Sequence, residues 1–155
     1  MAEITLEEGY KKLGDLVKEI ALNRKYHLEE IENGYVVDVP VRYSPEECES
    51  GEAETRQQFV YLTANRTNEE GEQLFQIFTI CAPEDERFYK SAMLLNMNLP
   101  FGAFAIAEVE GVNYFVLVDT YHVKEVSIGE MDRSVMTLAN AGDRMERMLI
   151  GDDIS

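Results

Sequence analysis

"LLNMNLPFGAFAIAEVEGVNYFVLVDT", residues 94–120, decides how the rest of the chain is read. A helix-like run stops at Leu99-Pro100, since proline cannot continue a helix and restricts the residue before it. Two apolar runs follow, hinged at Glu110-Gly111-Val112-Asn113. In the first, Ala103, Ala105 and Ala107 alternate with Phe104, Ile106 and Glu108. A strand built this way sets three alanines on one face and larger side chains on the other. The alanine face lets a helix or a second subunit approach closely, while Phe104 and Ile106 fill the core on the far side. The stretch reads as a joint between a helix and a β-hairpin.

Upstream of the joint, a helix is expected to start after Pro83, with Glu84, Asp85 and Glu86 in its first turn, where acids suit the helix dipole. Phe88, Ala92, Leu95 and Leu99 form its core stripe; Met93 and Met97 lie on a neighbouring stripe, and Leu94 widens the apolar face. Before it come two strands, 56–65 and 72–81, joined by the polar turn RTNEEG. Phe59, Tyr61 and Thr63 face one way and Gln58, Val60 and Leu62 the other, with Phe75, Ile77, Thr79 and Cys81 as the matching row opposite.

The first half opens with a capping box at Thr5-Leu6-Glu7-Glu8, leading a helix striped by Leu6, Tyr10, Leu13, Val17 and Ile20 that ends near Asn23. Residues 26–31 and 35–43 read as strands about Glu32-Asn33-Gly34, whose Asn-Gly is a strong hairpin signal. Pro40 cannot donate to a ladder, which puts the second of these at an edge or interrupts it. Residues 44–55, SPEECESGEAET, form a solvated acidic loop. Downstream of the joint, Ser127-Ile128-Gly129-Glu130 is a second capping box. Its helix is striped by Met131, Val135, Leu138, Met145 and Leu149, with a bend or close packing at Gly142 and an end at Gly151.

The order is helix, four strands, helix, two strands, helix. Antiparallel hairpins interrupted by helices make an α+β sandwich in one domain spanning 1–155. No apolar run approaches the roughly 20 residues of a membrane span, and the N-terminus carries acids where a signal peptide would be basic. The expected setting is the cytoplasm, with Cys48 and Cys81 as free thiols.

Thirty acids against fourteen bases give a formal net charge of −16. Such a surface repels nucleic-acid phosphates and anionic lipid, and attracts a basic partner. His27 and His122 lack ligand-spaced companions, and no phosphate-binding glycine loop or nucleophile elbow occurs. The expectation is therefore a non-catalytic chain without metal or cofactor, in which aspartates at strand ends, such as Asp119, are solvated. The methionines point elsewhere. Met93, Met97, Met131, Met145 and Met148 lie on or beside helix stripes, and thioethers adapt to varied shapes whether in a core or on a binding surface.

The second half resembles the type III secretion chaperone-like superfamily, which includes the secretion chaperones and the YbjN-like proteins. The resemblance rests on a helix ending in "LLNMNLPFGAFAI", a hairpin ending in "YFVLVDT" and a helix closing in "GDRMERMLIGDD". The run Arg56-Gln57-Gln58-Phe59-Val60 and the 72–83 strand ending in Cys81-Ala82-Pro83 are similar to preceding strands of YbjN-like members. Two extra strand-like runs and the 44–55 loop set the chain on the YbjN-like side. The resemblance implies a small acidic protein, often dimeric, that binds other proteins.

Three functions follow as expectations. The first is a chaperone-like or regulatory homodimer that holds a basic or amphipathic segment of another polypeptide. Its partner or dimer surface candidates are Met93, Met97, Ala103, Ala105, Met145 and Met148. The second is a structural or regulatory homodimer without a client. The third is a carboxylate-dependent enzyme using a divalent ion, for which no EF-hand spacing exists.

Overall fold

The computed structural model describes residues 5–43 and 54–154. The chain folds in the expected order as α1 (Leu6–Arg24), β1 (His27–Ile31), β2 (Gly34–Tyr43), β3 (Glu54–Thr67), β4 (Gln73–Pro83), a 3₁₀ turn (Glu86–Phe88), α2 (Tyr89–Asn96), β5 (Ala103–Val109), β6 (Val112–His122) and α3 (Ile128–Ile154). The strands form a single antiparallel sheet of six, in the order β1-β2-β3-β4-β6-β5. Among the described residues no helix is long and apolar enough to cross a membrane.

Both long helices start where their caps place them. Thr5 Oγ1 accepts from Glu8 N–H at 3.1 Å. At α3 the box is reciprocal, with Ser127 Oγ accepting from Glu130 N–H and Glu130 Oε1 from Ser127 N–H, each at 3.1 Å. Along α1, Leu13, Val17 and Ile20 are buried and Tyr10 stacks on Tyr35 at 5.6 Å. Leu6 departs from the expected stripe. It stands one turn ahead of the Tyr10 contact and is 62% exposed.

The core lies between the helices and one face of the sheet. Val37, Val39 and Val41 of β2, Val60 and Leu62 of β3, Phe75 and Ile77 of β4 and Leu117 of β6 meet Leu13, Val17, Met131, Val135 and Leu138. The Phe75 row pairs with the Val60 row, as the Leu62–Ile77 register requires. Two polar groups in this layer are satisfied: Gln58 Nε2 donates to Thr79 Oγ1 at 2.6 Å, and Thr79 Oγ1 donates to the Phe59 carbonyl at 2.7 Å.

Several boundaries differ from expectation for local reasons. Asn33-Gly34 marks the first hairpin, but the loop is Glu32-Asn33, because Gly34 already pairs with Ile31. Gly34 is needed for space: a Cβ there would lie 2.1 Å from the Leu62 carbonyl oxygen. Pro40 does not interrupt β2. It pairs with Gln57 on one side, and on the other it lies beyond the last β1 pair, His27–Asp38. Of the expected acidic loop 44–55, residues 44–53 lie outside the described residues, and Glu54 and Thr55 belong to β3 rather than to a loop.

The start of α2 also shifts. Pro83 stays in β4 opposite Tyr114, and Glu84 N–H donates to the Asn113 carbonyl at 3.0 Å. Asp85 then caps the 3₁₀ turn by accepting from Arg87 N–H at 3.0 Å. The β5–β6 hairpin turns on Glu110 and Gly111, with φ of 51° and 82°, positive at both turn positions as a type I′ turn requires. At Gly142 close packing replaces a bend, since a Cβ would lie 2.5 Å from Thr79 Cγ2. Gly151 does not end α3, which runs through it to Ile154.

Candidate interaction surfaces

Strand alternation gives the sheet two unlike faces. The face described above carries all three helices. α1 and α3 cover β2, β3 and β4, and α2 sits there too, because the Tyr89 ring meets core-side Phe115 edge-on at 6.0 Å. Ala103, Ala105 and Ala107 lie on the opposite face, opposite Val118, Val116 and Tyr114 of β6. No described helix lies over this face; α2 comes near the row only at Ala105, which also lines a concavity with Ala92 and Met93.

That open face is apolar through its middle. Tyr61 stacks on Phe78 with ring centroids 5.1 Å apart, and Phe78 stands opposite Val118. Phe59, one step along β3, is 51% exposed. Phe78, Val116, Val118, Ala105 and Ala107 line a concavity of about 530 Å³, with Gln76 and Glu108 at its margin. The polar margin lies on β1 and β2, with Asp38 opposite His27 and Glu29 meeting His27 at 3.2 Å. An antiparallel sheet with one face on a core normally shows polar residues on the other. Here that second face is apolar where the rings and alanines lie.

A second apolar surface lies at the β5 end. Met93, Leu94 and Met97 of α2 are 68%, 61% and 87% exposed. Met93 joins Tyr89, Ala92, Phe104, Ala105, Ile106 and Phe115 around a concavity of about 370 Å³. Ile106 does not fill the core as expected: β5 is the last strand, past the reach of α1 and α3, and the side chain is 48% exposed.

The six candidate residues divide between the two surfaces. Met93 and Met97 stand on the α2 surface and Ala103 on the open sheet face, while Ala105 lines both concavities and meets Met93 in the smaller. Met145 does not belong to a surface: it is 7% exposed and packs in the core, with the buried side of α3. The side chain of Met148 lies outside the described residues, as does Cys48. The sequence reading missed Phe59, Tyr61 and Phe78 as surface candidates. Their alternation was legible, but which face the helices would occupy was not.

The polar groups serve local structure. Asp119 is half-buried, against expectation, and accepts the hydroxyl of buried Ser134 at 2.9 Å. Hydrogen bonds with Asn68 and Glu70 pull the Glu72 carboxyl below the usual range and stabilise its ionised form in the β3–β4 turn. His122 lies 3.7 Å from Glu72 and is exposed. Cys81 sits within β4 at a register shift, where burial pushes its thiol up to about 12. Among the described residues no group of three or more His, Cys, Asp or Glu side chains could hold a metal ion. Comparison with known proteins gives no match, either to a family model or to a curated protein.

Proposed function

We propose that this chain is a non-catalytic, chaperone-like protein that works as a homodimer and holds a basic, amphipathic segment of another polypeptide on the open face of its sheet. The observation that carries the reading is that face: a stacked Tyr61–Phe78 pair, exposed Phe59 and a row of alanines, with no described helix over them. Exposed apolar patches of this extent mark interaction sites in water-facing proteins. Charge complementarity selects the partner. A chain of formal charge −16, with Asp38 and Glu29 bordering the patch, attracts Lys and Arg set beside an apolar stripe.

Fluorescence anisotropy with a labelled amphipathic Lys/Leu helix tests it, against a scrambled peptide of equal charge. The reading expects binding that prefers the amphipathic order and falls by about tenfold in Phe59→Ser and Ala103→Arg, with melting temperature unchanged. Equal binding of the scrambled peptide, or binding unmoved by both substitutions, would overturn it.

A further inference from the structure

We propose that the client segment is an α-helix lying across the strands, with one arginine seated between Asp38 and Phe59 at the β2 end and an apolar side chain in the concavity at the β5 end. The inference rests on the open-face reading above and gives the client a form and a spacing. It does not depend on self-association.

The first observation is the shape of the apolar band. Cross-strand pairs carry one row over the open face, from Glu29 on β1 through Val36, Tyr61, Phe78 and Val118 to Ala103 on β5. On one side the next row is polar, Thr63 with Gln76 and Thr120. On the other, β3 turns polar at Gln57, beyond Phe59. The band is therefore narrow along the strands and long across them. A segment laid along it meets rings and alkyl groups and no strand edge. Its own N–H and C=O groups must bond to each other, which a helix achieves and an extended chain does not.

The second observation is a carboxylate. Asp38 is half-buried on the same face and stands opposite exposed Phe59. Its Oδ1 is shut off from solvent and has no hydrogen-bond partner among the described residues. The Glu29 carboxylate, by contrast, meets His27 at 3.2 Å. A carboxylate held partly out of water without a donor is costly by itself and gains most when a donor arrives. Arginine fits this pair of residues. Its planar guanidinium stacks on an aromatic ring while its N–H groups donate to a carboxylate.

The third observation is distance. Neighbouring strands lie about 4.8 Å apart, so in the order β2-β3-β4-β6-β5 the step from β2 is about 5 Å to β3, about 10 Å to β4 and about 17 Å to midway between β6 and β5. Helix positions i+4, i+7 and i+11 share a face with i and lie about 6, 10 and 16 Å along the axis from it. With the arginine at i, these positions fall over Tyr61, over Phe78 and over the concavity lined by Ala105, Val116 and Val118. The small side chain of Ala105 leaves room there for a leucine. The acidic margin at Asp38 and Glu29 favours the positive end of the helix dipole, which puts the arginine in the first turn.

A double-mutant cycle read by fluorescence anisotropy tests the seat. The probe is a labelled peptide of about 15 residues with Arg at i and Leu at i+4, i+7 and i+11, compared with the same peptide carrying Gln at i. Asp38→Asn keeps the side-chain shape and removes a charge without a partner, so its melting temperature is expected to be retained or raised. It is expected to weaken the Arg peptide about fivefold and to leave the Gln peptide within about twofold. Glu29→Gln is expected to treat the two peptides alike. The bound Arg peptide is expected to gain helical circular dichroism, and binding without that gain would overturn the helix. Equal effects of Asp38→Asn on both peptides would overturn the arginine seat and leave the open face as the client site. So would binding of the Lys/Leu helix with neither of these peptides bound. Failure of all three to bind would overturn the open-face reading itself.

Discussion

The N–H of Phe104 donates to the side-chain oxygen of Asn96 at 2.6 Å, tying the last residue of α2 to the outer edge of β5. One side chain thereby ties a helix to a strand and occupies one of the amides that edge would offer. Asn96→Ala leaves a half-buried amide without its acceptor, which costs about 1 kcal/mol. For a chain of this size that lowers the melting temperature by about 3 °C. Asn96→Asp keeps an acceptor and is expected to melt within about 1 °C of the parent, by calorimetry at neutral pH.

Methionines of equal chemistry are expected to behave in opposite ways. Met93→Ser and Met97→Ser alter side chains that are 68% and 87% exposed and should change stability by less than about 0.5 kcal/mol. Met131→Ala empties a fully buried site between α3 and the sheet and should cost about 3 kcal/mol. Urea unfolding separates them. Light scattering of Met93→Ser then reads whether the α2 surface supports self-association, the expected result being a weaker dimer with an unchanged unfolding midpoint.

Two glycines should tolerate alanine very differently. Gly34→Ala drives a methyl against the Leu62 carbonyl, a backbone atom that cannot step aside, and is expected to cost about 3 kcal/mol. Gly111→Ala meets nothing, but it forces alanine into φ of 82° and is expected to cost about 1 kcal/mol. Chemical denaturation with both variants checks the order.

The Glu146 carboxyl is raised chiefly by burial and then by Asp143, with Arg56 opposing. A carboxyl whose folded pKa lies above its unfolded value binds more protons when folded. Its penalty is therefore absent at low pH, grows as pH rises through the window above the ordinary carboxylate range, and is complete above the folded pKa. Glu146→Gln is expected to raise the melting temperature at pH 8, with the gain shrinking towards pH 4. A gain that stays constant across that range would contradict the assignment.

Salt should act with opposite signs on the two surfaces. Self-association brings together two chains of like charge, −16 each, so screening is expected to tighten the dimer between 50 and 500 mM salt. Binding of a basic client relies on opposite charge and is expected to weaken over the same range. Sedimentation and anisotropy in one salt series read both.

The element order, the caps at Thr5 and Ser127 and the alternation on β3, β4 and β5 were legible because they are local. Thr5 and Ser127 need only the next turn, and a period of two or 3.6 needs only a few neighbours. What was not legible depended on long-range placement. Periodicity put Ala103, Ala105 and Ala107 together, but which side of the sheet α1 and α3 would take is set by the whole topology. Met145 reads on the stripe of its helix and Met93 beside the stripe of its own, yet both are surface candidates in the sequence. They separate because α2 is short and stands at the sheet's end, whereas α3 lies across its middle. Asn33-Gly34 located a hairpin, yet the need for glycine comes from Leu62, distant in sequence.

The central claim is that the open face of the sheet receives a basic amphipathic segment. The most direct measurement is a titration of the isotope-labelled chain with an unlabelled amphipathic Lys/Leu helix, followed by backbone amide and aromatic shifts. The account predicts shifts concentrated at Phe59, Tyr61, Phe78, Ala105 and Val118, with the solvent sides of α1 and α3 unmoved. Shifts confined to α1 and α3, with that row of rings and alanines silent at saturation, would contradict it.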